Sequence, residues 1–170
     1  MIDIMLMLIG MAVGGGGDST GEEMATEMVE TPAATVPATE TAAIPTVAEP
    51  QTPMGKFTTA TEVKPILTMT KGSWVAVREY DGKDLVYFTH LMSWRCGLAA
   101  MRYSLNDGPI QMYELPPCDE ASPTPNAIPT GWNPISGLPP QSVKKVYVEI
   151  FYDDLTTDSA SFDRAGVEIQ

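Results

Sequence analysis

Residues 74–90 read WVAVREYDGKDLVYFTH, and this stretch decides the fold class. Trp74 to Tyr80 is rich in β-branched and aromatic residues, which suit a pleated, half-buried surface. Asp81-Gly82 follows, a pair favoured where two successive residues of a tight hairpin turn need positive φ. Leu85 to His90 then returns as the partner strand. The same logic continues downstream. Leu98 to Leu105 reads as a strand with Ala99, Met101, Tyr103 and Leu105 on one face. Asn106-Asp107-Gly108-Pro109 turns it, and Ile110 to Leu115 comes back. The clearest strand is Val146–Phe151, where Val146, Val148 and Ile150 alternate with Tyr147, Glu149 and Phe151. The turn Asp153–Asp158 leads into a last strand, Ser159 to Ile169.

Upstream, Thr59-Ala60-Thr61-Glu62 fits a helix capping box. Val63, Ile66 and Leu67 would form one apolar stripe, and Gly72 would end the helix. Pro65 is tolerated only in a first turn, which favours a start at Thr61. Roughly six or seven short strands with turns between them, after one short helix, predict a mostly β chain. The expected form is an antiparallel immunoglobulin-like or fibronectin-like sandwich, preceded by a disordered tail.

Composition places the boundary of that domain. Residues 1–55 hold no Lys, no Arg and no aromatic residue; residues 56–170 hold all ten basic residues, all thirteen aromatics and both cysteines. The expected division is a signal-like segment over 1–17, a disordered Thr/Pro/Ala/Glu-rich linker over 18–55 and a β-sandwich over 56–170. Of the net charge of −12, the first 55 residues carry −8 and the rest −4. Nucleic-acid binding needs clustered cations, and Lys144-Lys145 is the only adjacent basic pair.

Ile4 to Val13 is an unbroken apolar or small-residue run. It is too short for a stable membrane span and has the length of a secretory signal's apolar region. Asp3 stands where such a signal carries positive charge; a start assigned too far downstream would account for it. Seventeen of the 23 residues in 31–53 are Thr, Pro or Ala, an extended spacer of about 70 Å at full stretch. Export to the periplasm or outside the cell is the expectation.

The stretch from Trp74 to Asn106, with Pro125-Asn126-Ala127-Ile128 and the closing YDDLTTDSASFDRA, resembles an uncharacterised family of exported bacterial proteins with an immunoglobulin-like C-terminal β-domain. The resemblance covers roughly residues 57–170 and implies no activity, cofactor or catalytic residue.

Several residues are candidates for chemistry. In an exported chain Cys96 and Cys118 most simply form one disulfide, which would stabilise the fold by about 3 kcal/mol. The alternative is a Cys96 nucleophile with His90 as base, in an envelope enzyme or inhibitor using the His90–Cys96 segment. A further alternative is a cytoplasmic accessory protein with free cysteines. Asp153, Asp154 and Asp158 form an acidic turn that invites calcium, but an EF-hand loop from Asp154 fails at Ser159 and Ala165. Trp94, Arg95 and Trp132, with Tyr147 and Phe151 flanking Glu149, are the candidate binding residues. Arg95 and Arg102 would pair at the surface with Glu79 and Glu114. Residues 116–141 hold eight of the fifteen prolines, a long loop with Trp132 and Ile135 as anchors. No phosphate loop or serine elbow occurs. The expected protein is a non-enzymatic binding or structural module without metal or other cofactor, presenting Pro116–Pro140, with a protein or envelope component as partner.

Overall fold

The computed structural model describes residues 44–170. The signal-like segment and most of the linker lie outside the described residues. One helix, α1 (Ala60–Met69), precedes eight strands: β1 (Ala76–Tyr80), β2 (Lys83–Tyr87), β3 (Leu98–Leu105), β4 (Gln111–Tyr113), β5 (Ile135–Leu138), β6 (Lys145–Tyr152), β7 (Thr157–Asp163) and β8 (Glu168–Ile169). A one-turn helix, α2 (Thr89–Met92), follows β2. The strands form two antiparallel sheets, ordered β1-β2-β5 and β4-β3-β6-β7-β8.

The β1–β2 hairpin closes on Tyr80 opposite Lys83, with Asp81 at φ 51° and Gly82 at φ 66°. Both turn residues thus adopt the left-handed conformation that Asp-Gly tolerates best. In β6 the expected alternation holds: Val146, Val148, Ile150 and Tyr152 are buried, and Tyr147, Glu149 and Phe151 lie half-buried on the other face. Their neighbours in the core include Val63, Leu67, Trp74, Val86, Phe88, Met101 and Phe162.

The loop expected over 116–141 is shorter, because Ile135–Leu138 forms β5 and pairs with β2. Four further departures have local causes. Helix α1 starts at Ala60 behind Thr59, with Pro65 inside it. Pro65 withholds the N–H that the Thr61 carbonyl would accept, and both residues are exposed. The second hairpin strand stops at Tyr87 because Phe88 leaves the extended region (φ −113°, ψ 26°). A register shift between Leu98 and Ala100 leaves Ala99 half-buried and puts Ala100 in the interior. The expected strand Ser159–Ile169 is cut in two: the Asp163 carboxylate accepts from the backbone N–H groups of Ala165 and Val167, and Gly166 turns with φ 78°.

The domain's contacts begin before Lys56, where composition changes. Glu49 N–H donates to the Asp153 carbonyl at 2.9 Å, and the Gln51 amide donates to Asp153 Oδ1 at 2.7 Å. Among the described residues, no helix is long and apolar enough to cross a membrane.

Candidate binding surface

Proline supplies a carbonyl but no N–H, so a proline-rich loop is short of donors. Arginine offers five N–H donors in a planar fork. The structure joins these two facts. Arg95 is 3 % exposed and its guanidinium donates to six backbone carbonyls. Nε reaches Pro116 at 2.9 Å and, more weakly, Pro117 at 3.3 Å. Nη1 reaches Met92 at 3.1 Å and Asn126 at 2.8 Å. Nη2 reaches Pro117, Pro125 and Ala127 at 3.0–3.2 Å. Among the described residues no carboxylate pairs with it; carbonyl dipoles hold the charge. Burial pulls its pKa below the ordinary arginine value. Arg95 is therefore not the surface ion-pair partner that the strand order suggested. Arg102 does make an ion pair, with Glu149, and stacks over Phe151 at 5.1 Å.

The two cysteines are joined, Cys96 to Cys118, with Cα atoms 5.1 Å apart. Cys96 is buried and Cys118 is exposed. Beside them, Cys96 N–H donates to Asn126 Oδ1 at 3.0 Å, and the Asn126 amide donates to the Phe57 carbonyl at 2.8 Å. Arg95, Cys96 and Asn126 thus clamp both ends of the stretch 116–127 to the segment before β3. The disulfide removes the Cys96 thiolate on which a nucleophilic role would rest. His90, the suggested base, bonds instead through Nε2 to the Thr70 hydroxyl at 2.8 Å, and burial lowers its pKa.

Trp132 lies half-buried at the far end of this loop, its indole N–H donating to the Tyr113 hydroxyl at 3.0 Å. It helps line a small hollow of about 140 Å³ with Tyr87, Met92, Ile128 and Pro134. Trp94 sits elsewhere, edge-on to Phe57 at 5.2 Å, beside a hollow of about 310 Å³ walled by Pro123–Ala127. Tyr147 and Phe151 belong to the outer face of the five-stranded sheet. The candidate binding residues therefore fall on separate surfaces, and the structure does not gather them into one site.

No family model, curated relative or solved structure matches this chain.

The acidic turn is distributed among partners rather than pooled. Asp154 pairs with Lys64 at 2.6 Å and Asp158 with Lys71 at 2.7 Å. Asp153 is buried, and its Oδ1 accepts from the N–H of Ala60 at 2.8 Å, at the start of α1. Burial raises its pKa above the ordinary 3.8. No cluster of three or more His, Cys, Asp or Glu positioned for a metal occurs among the described residues.

One buried charge went unread in the sequence. Asp84 is fully buried on the inner face of β2. It accepts from Arg164 at 2.5 and 2.7 Å and from the N–H groups of Gln141 and Val143 at 3.0 and 2.9 Å. The sequence did hold the signal: Asp84 is in phase with Val86 and Phe88, so it had to face the core and find a cation.

Proposed function

We propose that this protein is an exported, non-enzymatic binding module that presents the loop preceding β5, Pro116–Pro134, with Trp132 as the principal contact. The observation that carries this reading is the Arg95 clamp. Six charge-assisted hydrogen bonds and an adjoining disulfide hold a donor-poor loop, and a loop ordered before binding loses less entropy on binding. The hollow at Trp132 is walled by aromatic, thioether and proline groups, a surface suited to a protein or envelope component.

Export is supported by the disulfide, since such bonds persist in oxidising compartments, together with the apolar N-terminal run. The immunoglobulin-like reading, and the resemblance to exported proteins of that kind, draw support from the two antiparallel sheets. They draw none from the disulfide, which joins the loops flanking β3 and β4 instead of linking two sheets.

Crosslinking capture from the envelope fraction tests the function. Trp132→Ala should abolish capture of a defined partner while near-ultraviolet dichroism stays unchanged; undiminished capture removes the loop from consideration. Thiol labelling of protein recovered from its own compartment should find no free cysteine, and two labelled thiols would overturn export.

A further inference from the structure

The outer face of the three-stranded sheet is chemically unlike the rest of the molecule. Alternation along the strands turns Ala76, Arg78 and Tyr80 of β1 outward with Lys83, Leu85 and Tyr87 of β2. No carboxylate shares that set, in a chain of net charge −12. Arg78 and Lys83, like Lys144 elsewhere, make no ion pair or side-chain hydrogen bond among the described residues, whereas Lys64, Lys71, Arg102, Lys145 and Arg164 are all paired with carboxylates. Glu79, at the rim, is turned towards Arg164 at 3.6 Å. Tyr80 is 73 % exposed.

Two adjoining hollows, of about 540 and 530 Å³, lie on this face, and Arg78 and Tyr87 line both. Their remaining polar lining is Ser73, Thr89, His90 and Ser93 in one, and Glu79, Asn133 and Ser136 in the other. The hydroxyl and amide groups among them both donate and accept. Each hollow falls within the size of an ordinary small-ligand site, and together they form a strip longer than one such ligand.

We propose that this strip binds a carboxylated polysaccharide, with Tyr80 and Tyr87 as stacking surfaces for sugar rings and Arg78 between them gripping a uronate carboxylate. Charge complementarity selects an anion: Arg78 and Lys83 face solvent unpaired, and the one carboxylate that lines the strip, Glu79, is turned towards Arg164. An aromatic ring offers an apolar face to the C–H side of a sugar, and the hydroxyl and amide lining answers the sugar's own hydroxyls. An acidic peptide fits less well. Backbone donors and acceptors of a sheet lie in its plane, so a peptide lying across the face finds no main-chain partners. Arginine meets carboxylate in a bidentate fork that lysine does not reproduce. Trp132 lines neither hollow, although Tyr87 and Pro134 also border the hollow at Trp132, so the strip adjoins the loop surface proposed above and is told apart from it by Trp132.

Titration calorimetry of the full chain with hexagalacturonate is the test, with a neutral galactan hexamer and poly-glutamate as parallel probes. The uronate oligomer should bind, more weakly as salt rises, and the neutral oligomer and poly-glutamate should bind at least about tenfold more weakly. Arg78→Gln and Tyr87→Ala should each weaken uronate binding by about tenfold or more with the thermal midpoint unchanged, Arg78→Lys should restore only part of it, and Trp132→Ala should leave it unaltered. Absence of uronate binding, equal binding of poly-glutamate, or indifference to Arg78→Gln would overturn the proposal.

Discussion

Arg95 Nη1 donates to the Asn126 carbonyl at 2.8 Å across 31 residues of chain. It belongs to a set of bonds in which one side chain supplies the donors that a proline-rich loop lacks. Replacing Arg95 by Lys keeps the charge and leaves three donors on a flexible stem, too few for six carbonyls. Arg95→Lys should cost about 2–4 kcal/mol in urea unfolding with the disulfide intact. Proteolysis should accelerate within residues 116–128 first. Unchanged protection there would mean that the disulfide alone holds the loop.

The disulfide acts on the same loop by a different physical route, restricting the unfolded chain. With a separation of 22 residues, the double variant Cys96→Ala/Cys118→Ala should lose about 3 kcal/mol. Because Arg95 still holds the loop carbonyls, its near-ultraviolet spectrum should remain native. Loss of that spectrum at temperatures well below the midpoint would assign the ordering to the disulfide.

Gly97 marks where the segment before β3 meets α1. A Cβ there would stand 2.4 Å from Val63 Cγ2 and 2.9 Å from the backbone carbonyl carbon and oxygen of Thr59. Side chains can rotate away; the backbone at the helix cap cannot. Gly97→Ala should therefore destabilise by about 1–3 kcal/mol. Adding Val63→Ala should relieve none of the backbone clash, so the double variant should be less stable than Gly97→Ala alone. Recovery in the double variant would show that only the Val63 contact matters.

Asp84 and Arg164 set the response to acid. The two hydrogen bonds from Arg164 come first among the causes holding the Asp84 carboxyl well below its ordinary 3.8. The unfolded chain therefore takes up this proton more readily than the folded one. The stability from Asp84 is complete above the unfolded value and is lost as pH falls through it towards the folded one. Thermal midpoints measured from pH 6 downwards should decline below about pH 4. Asp84→Asn should lower the midpoint at pH 6 and flatten that decline; an equally steep acid slope in the variant would assign it to other carboxylates.

Some of this was legible in the chain and some was not. The hairpin about Asp81-Gly82 and the alternation of β6 follow from patterns two to six residues long. Helix α2 was missed because Leu85–His90 matches a strand, although Phe88, Leu91 and Met92, all buried, have helical spacing. The shift at Ala99 depends on how β3 meets β6, which no single strand reveals. Trp132 was singled out as an anchor in a loop, and its bond to the Tyr113 hydroxyl needed the loop's path.

By itself the sequence determined what lies within reach of a few residues: where the chain turns, which strand face is apolar, that a helix begins close to Thr59–Thr61, and that two cysteines suffice for one disulfide. Backbone geometry imposes those periods whatever the rest of the chain does. Tertiary structure alone decided the partners: Arg95 with the loop carbonyls, Asp84 with Arg164 across 80 residues, and Arg78 left facing solvent beside Tyr87. A buried charge dictates that it must be paired. Which group pairs with it depends on how two sheets close over one core, and that is settled only when the whole chain has folded.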